Sequence, residues 1–204
     1  RPYWPSSPHS PDHIFPNDPT VGDQHPWSVT LGEFGVDFWH YRDFVDRFPN
    51  EGGVLGASSP ATLRQCLGDA MGFRSFAWEH HDNAANFWRG EQCITYETVR
   101  FWLGLNPEQM DLDDYIYASA LLQAEGLKEY IDNYRRRMYT CSSAIFWMYN
   151  DSWPATHGWT IVDYYLRRKL SYHPTRRAFQ PVTVVVAQDG EGVRVLGVND
   201  SPED

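Results

Sequence analysis

The stretch from Ser143 to Pro154 limits the fold of this chain more than any other. An apolar run from Ser143 to Met148 leads directly into Tyr149-Asn150-Asp151-Ser152-Trp153-Pro154. A run this short suits a buried strand, and a strand whose end carries Asn, Asp and tryptophan reads as the mouth of a barrel. Tryptophan faces stack on the C–H surfaces of sugar rings while Asn and Asp bond the hydroxyls, which makes carbohydrate the first ligand class to consider. A core strand followed by an ordinary turn accounts for the same residues equally well at this point.

The rest of the chain supplies helices around such a strand. Residues 1–26 are rich in proline and read as loop, apart from a short strand expected at Pro2–Ser6. Phe38, Tyr41, Phe44, Val45 and Phe48 fall at three- and four-residue spacing, which predicts a helix that Pro49 ends. Ser59-Pro60 opens a helix expected to reach Leu67 before Gly68. Helical fragments are expected between Phe73 and Leu105, and the longest helical pattern runs from Leu112 to Tyr139. Its acidic start and its end at Arg135-Arg136-Arg137 suit the helix dipole, and the arginines are expected to be a solvated helix end. Short helices are expected at Trp159–Tyr165 and Pro174–Phe179. Val182–Val186 and Val193–Val198 then form a hairpin through Asp189-Gly190, which cannot bury its own apolar face and therefore begins a sandwich.

Composition narrows the ligand class by exclusion. Seventeen Lys and Arg against 27 Asp and Glu leave a net charge of −10, which repels phosphate backbones and anionic lipid, so neither nucleic acid nor membrane is an expected partner. Cys66, Cys93 and Cys141 are an odd number without C-x-x-C spacing and are expected to be free thiols. His80-His81 lacks a helical partner for metal binding, so no metal and no cofactor are expected. The N-terminus has neither an initiator Met nor a signal-peptide layout, and the expectation is a piece of a longer polypeptide whose compartment its start does not set.

Several blocks occur in an order that resembles the family 2 glycoside hydrolases of the β-mannosidase type. They are Arg1-Pro-Tyr-Trp-Pro-Ser-Ser-Pro8, Gly22-Asp-Gln-His-Pro-Trp27, Arg47-Phe-Pro-Asn-Glu51, Trp147-Met-Tyr-Asn-Asp-Ser-Trp-Pro154, Ile161-Val-Asp-Tyr-Tyr165, Arg177-Ala-Phe-Gln-Pro181 and Val198-Asn-Asp200. The resemblance implies an α/β fold: the C-terminal third of a (β/α)8 TIM barrel over residues 1–180, then the beginning of an immunoglobulin-like β-sandwich over residues 181–204. It implies retaining hydrolysis of terminal β-mannosidic bonds through a glycosyl-enzyme intermediate. An exo-β-glucosaminidase, an endo-β-mannosidase or a non-catalytic carbohydrate-binding remnant remain alternatives.

The resemblance also assigns roles. Glu51, preceded by Arg47-Phe48, stands where the family has its nucleophile at the end of strand seven, although Asn-Glu-Gly-Gly here replaces the usual Ser-Glu followed by an aromatic residue and Gly. Glu33, in Gly32-Glu33-Phe34-Gly35, is the weaker alternative. Trp147 is implied as the floor of the sugar subsite, with Asn150, Asp151 and Trp153 nearby, while His25, Trp27 and, less directly, Trp4 wall the pocket. The acid/base Glu would precede Arg1, so the expected partners are a glycoside or oligosaccharide and the remainder of the same polypeptide, and the piece alone is expected to be inactive.

Overall fold

The computed structural model describes residues 3–12, 15–83 and 93–202. Part of the strand expected at Pro2–Ser6, and the middle of the fragment region between Phe73 and Leu105, lie outside these residues. The centre of the structure is a 24-residue helix, α4 (Leu112–Arg135). Asp111 caps it by accepting from the Asp113 N–H at 2.9 Å, and two further acids sit in its first turn, where the helix dipole favours them. Tyr115, Ile116, Leu122, Leu127, Tyr130, Ile131 and Tyr134 are all buried, so α4 is enclosed over most of its circumference.

Around α4 pack α3 (Ile94–Leu103), α5 (Tyr172–Ala178), the two-residue strand β1 (Gly56–Ala57) and a 3-10 helix at Phe38–Asp43. Two further α-helices, α1 (Pro60–Leu67) and α2 (Phe76–His80), complete the α-helices among the described residues. Helix α1 has the expected boundaries: Ser59 caps it, Pro60 sits in its first turn, and Gly68 ends it at φ +55°, a backbone state that favours glycine. The helix expected over 38–48 is shorter than its pattern. Phe38, Tyr41 and Phe44 lie three apart, which fits a three-residue turn, and from Phe44 the backbone becomes extended.

That extended segment places the parallel core. Gln24 bridges Pro49 in parallel, with the Gln24 N–H donating to the Phe48 carbonyl at 3.1 Å and the Asn50 N–H to the Gln24 carbonyl at 3.0 Å. On the opposite side the N–H groups of Ser142, Ile145 and Trp147 donate to the carbonyls of Arg47, Pro49 and Gly52. Both series rise together, so residues 142–147 run parallel to residues 47–52. Gln24, rather than Pro2–Ser6, takes the third place in this row. The proline-studded start lacks the donors a ladder needs, and among the described residues its backbone bridge to this neighbour is the antiparallel pair His9–Asp23.

Two further expectations give way to tertiary pairing. The segment Trp159–Tyr165 is not helical: Val162 bridges Asn150 in parallel and Arg168 in antiparallel, and the Tyr149 carbonyl accepts from both Ile161 and Val162 N–H. The arginines ending α4 are drawn onto backbone carbonyls rather than left as a fully solvated helix end. Arg135 is buried, with its guanidinium bonded to the carbonyls of Ala178, Gln180 and Pro181 and to Asp200, while Arg136 and Arg137 both donate to the Arg42 carbonyl. Five fixed donors suit a guanidinium to collecting loop carbonyls.

Arg135 thereby ties down a hairpin, β3 (Val182–Asp189) and β4 (Gly192–Asn199), joined through Gly190 at φ +59° and Glu191. Val185, Ala187 and Val198 face the body and are buried. Val182, Val184, Val186, Val193 and Val195 form the opposite, exposed face. The three cysteines are free, and no helix among the described residues is long and apolar enough to cross a membrane.

Gln123, on α4, ties together several separate backbone segments. Its amide nitrogen lies 3.0 Å from the Val54 and Gly158 carbonyls and 3.3 Å from that of Thr160, and its oxygen accepts from Ser171 Oγ at 3.0 Å. A buried acceptor left without a donor costs about 1–3 kcal/mol. Gln123→Leu, close in volume, should therefore destabilise the folded chain by about 3 kcal/mol, read as the shift in its denaturant-unfolding transition within the full-length protein.

Candidate active site

Glu51 stands at the C-terminal end of the middle extended segment, and the residues after it are fixed on every side. The Tyr130 hydroxyl lies 2.9 Å from the Glu51 carbonyl oxygen and 2.6 Å from that of Ile145, joining the Glu51 segment to residues 142–147. Gly52 has φ +144°, and a Cβ there would collide with the Tyr130 ring, so both backbone and space demand glycine. Both backbone groups of Gly53 meet the Tyr41 hydroxyl at 3.1 Å, and Thr30 Oγ1 donates to the same carbonyl. Burial holds the Tyr41 and Tyr130 phenols well above their ordinary range, so both remain neutral hydrogen-bonding groups.

The Glu51 carboxylate faces the loop that precedes the 3-10 helix. Trp27 Nε1 donates to Glu51 Oε2 at 3.0 Å, and His25 Nδ1 lies 3.5 Å from the same oxygen. Behind His25, its Nε2 is 2.9 Å from Ser7 Oγ. Ser7 belongs to a cluster on Asp23, whose carboxylate accepts from Ser7 Oγ (2.5 Å), Asn50 Nδ2 (2.7 Å), the His9 N–H (2.8 Å) and Trp4 Nε1 (3.1 Å). Burial alone would raise the Asp23 pKa, but these donors outweigh it and bring it below the usual carboxylate range.

Of the residues expected at the site, the structure thus brings together Trp4 and His25, hydrogen-bonded through Asp23 and Ser7, and Trp27, hydrogen-bonded to Glu51, with the 3.5 Å contact between His25 and Glu51 joining the two groups. Trp147 stands beside them, its N–H donating to the Gly52 carbonyl at 2.8 Å and its indole partly exposed. Trp159 meets Trp27 edge-on, with ring centres 6.0 Å apart. Glu33 lies exposed on the turn between Ser28 and Gly35, away from this chain of contacts. Asp23, Ser7, Asn50 and Tyr130 were not singled out from sequence. Asp23 could have been, since it sits inside the Gly22–Trp27 block.

Asn150, Asp151 and Trp153 are placed otherwise: no hydrogen bond or ring contact among the described residues links them to Glu51. Trp153 stacks on His81 at 5.0 Å and 14°. Asp151 is buried, which pushes its carboxyl above the usual range against the opposing charge of Lys169. Lys169 is itself buried and pushed down to about 8, its Nζ donating to the Gly56 and Gly158 carbonyls. Lys169 thus links the backbone at Gly56 to that at Gly158.

Among the described residues the one group of potential metal ligands is Asp82, Cys93 and His157, whose donor atoms lie within 4.8 Å of one another. Both imidazole nitrogens are already engaged, Nδ1 with Asp82 at 2.9 Å and Nε2 with the Tyr115 hydroxyl at 2.7 Å. The cluster works as a buried hydrogen-bonded brace.

Burial alone would lower the His157 pKa, but Asp82 overrides it and the group is pushed up to about 10. A histidine whose folded value exceeds its unfolded value contributes stability that is complete below about pH 6.5 and is lost as pH rises toward 10. Between pH 6.5 and 8, before Lys169 releases its proton, stability should fall with pH in the wild type, and Asp82→Asn should flatten that slope in denaturant melts. Gly52→Ala tests the packing beside Glu51: it should displace the Tyr130 ring and cost about 1–3 kcal/mol, read from the same melts.

This geometry coincides with relationships to known proteins. The chain is homologous to one stretch of the β-mannosidase-type glycoside hydrolases. Aspergillus niger β-mannosidase B is 30% identical over 192 residues, covering 92% of this chain and 22% of that protein. The β-mannosidase B of Thermothelomyces thermophilus is 31% identical over 199 residues, with the same coverage. In structure, a β-D-mannosidase from Dictyoglomus thermophilum matches 98% of this chain and 24% of its own at a TM-score of 0.85 and 32% identity. The chain thus spans about a fifth of the length of the relatives it matches. No protein-family profile matches it.

Proposed function

We propose that this chain contributes the nucleophile side of a retaining β-mannosidase active site of glycoside hydrolase family 2, acting on terminal β-mannosides. The observation that carries the reading is the Glu51 carboxylate, presented at the end of an extended segment in a parallel row and accepting the Trp27 N–H, in a chain homologous to β-mannosidases. In this reading the row at Gln24, Arg47–Glu51 and Ser142–Trp147 forms strands six, seven and eight of a (β/α)8 barrel. Its catalytic groups sit at the C-terminal ends, as such barrels require. Residues 181–204 begin a sandwich whose further strands cover the exposed valine face of the hairpin.

Glu51 attacks the anomeric carbon, forming a carboxylate–sugar bond as the glycosidic bond breaks. A carboxylic acid from another part of the full polypeptide protonates the leaving oxygen, then deprotonates the water that releases the sugar. The Trp27 N–H holds Glu51 Oε2 in place, and the exposed Trp147 ring offers a face for the sugar. The substrate is a glycoside or oligosaccharide. In this reading the chain by itself is inactive, because the acid/base belongs to another part of the full polypeptide.

In the full-length protein, Glu51→Gln should lower turnover of a nitrophenyl β-mannoside by several orders of magnitude with little change in melting. A 2-deoxy-2-fluoro mannoside should label the wild-type peptide containing Glu51. A label on Glu33, or near-normal turnover by Glu51→Gln, would sink the assignment. A wild-type protein that binds mannoside without turnover or label would point to a carbohydrate-binding remnant instead.

A further inference from the structure

Asp23 does not touch Glu51, yet it determines what faces Glu51. Its ionised carboxylate can only accept, and it takes four donors while only 4% exposed. The Ser7 hydroxyl has a single proton, which at 2.5 Å goes to Asp23 Oδ2. With that proton committed, Ser7 Oγ can only accept from its other neighbours, Asn50 Nδ2 at 3.0 Å and His25 Nε2 at 2.9 Å. His25 Nε2 must then carry hydrogen. A neutral ring in that tautomer would turn the Nδ1 lone pair toward Glu51 Oε2, whereas an imidazolium turns an N–H toward it.

We propose that Asp23, acting through Ser7, is a positioning residue that commits His25 to face the Glu51 carboxylate as a cation. The inference rests on the reading of Glu51 as nucleophile. The backbone of His25 is clamped independently, its N–H donating to Asn17 Oδ1 at 2.7 Å and its carbonyl accepting from Asn17 Nδ2 at 3.2 Å, so the ring has a fixed origin from which to point. The other titratable groups placed against the pair by described residues are Asp23 beyond Ser7 and Tyr130 behind the Glu51 carbonyl, and Tyr130 stays neutral. In general a cation beside a carboxylate favours the charged form of that carboxylate, so a relay of this kind is read in the pH dependence of the reaction.

The test is the pH profile of kcat/KM on a nitrophenyl β-mannoside, measured on the full-length protein with Ser7→Ala, Asp23→Asn and Ser7→Thr. Loss of the relay should move the acid limb of Ser7→Ala and Asp23→Asn upward by roughly one pH unit, and the hydroxyl of Ser7→Thr should restore the wild-type limb. Ser7→Ala keeps Asp23 and its other donors, so it reports even where Asp23→Asn fails to fold. Fluoro-mannoside labelling of each variant separates the two levels of the argument. Label on Glu51 with an unmoved acid limb and a rate lowered equally at every pH would overturn the relay alone. Label on another residue would overturn the nucleophile reading and the relay with it.

Discussion

The extended segment from Phe44 to Ala57 carries Glu51 but has little of a regular ladder, so its buried backbone groups must find partners elsewhere. One face of α4 supplies several of them. Asn133 Nδ2 donates to the Phe44 carbonyl, the Tyr130 hydroxyl meets that of Glu51, Gln123 meets that of Val54, and Ser119 Oγ accepts the Ala57 N–H. The Tyr134 hydroxyl reaches the buried Asp46 carboxylate, which burial raises above its usual range despite that bond. Positions 119, 123, 130 and 133–134 recur at helical spacing. Gly126, between them, lets α4 approach closely: a Cβ there would come within 2.6 Å of Val54. The register of Glu51 is thus set by a helix about seventy to eighty residues downstream in sequence.

The same economy operates at the carboxylate. Glu51 is positioned from behind by α4, and its neighbours in front come from the proline-rich loop, which has little secondary structure to hold its shape. Asp23 provides that shape by drawing four donors from four residues into one buried anion. A charged acceptor makes stronger hydrogen bonds than a neutral one, so the loop gains definition from electrostatics where it cannot gain it from a ladder. Trp27 and Trp159, edge to face, close the apolar side.

Arg135 plays the corresponding part at the other end of α4. It meets carbonyls at and just after the end of α5 and the Asp200 carboxylate following the hairpin, so the helix that anchors Glu51 also anchors the start of β3. The hairpin lies against the body by one face and offers five exposed valines on the other. An exposed apolar sheet face of that kind calls for a covering partner.

Local patterns were enough for the pieces whose cause is local: α1 with its Ser59 cap and closing Gly68, α4 from its acidic start, and the Val-rich hairpin with its glycine turn. What the sequence left open depends on long-range pairing. Trp159–Tyr165 abandons helix because Val162 finds backbone partners at Asn150 and Arg168, and Arg135 is drawn inward by carbonyls more than forty residues away. Residue type likewise did not announce the neighbours of Asp151 and Trp153, which are Lys169 and His81. Residue type and spacing fix what a side chain can do; only the tertiary structure, by satisfying buried polar groups across the chain, decides which side chains meet.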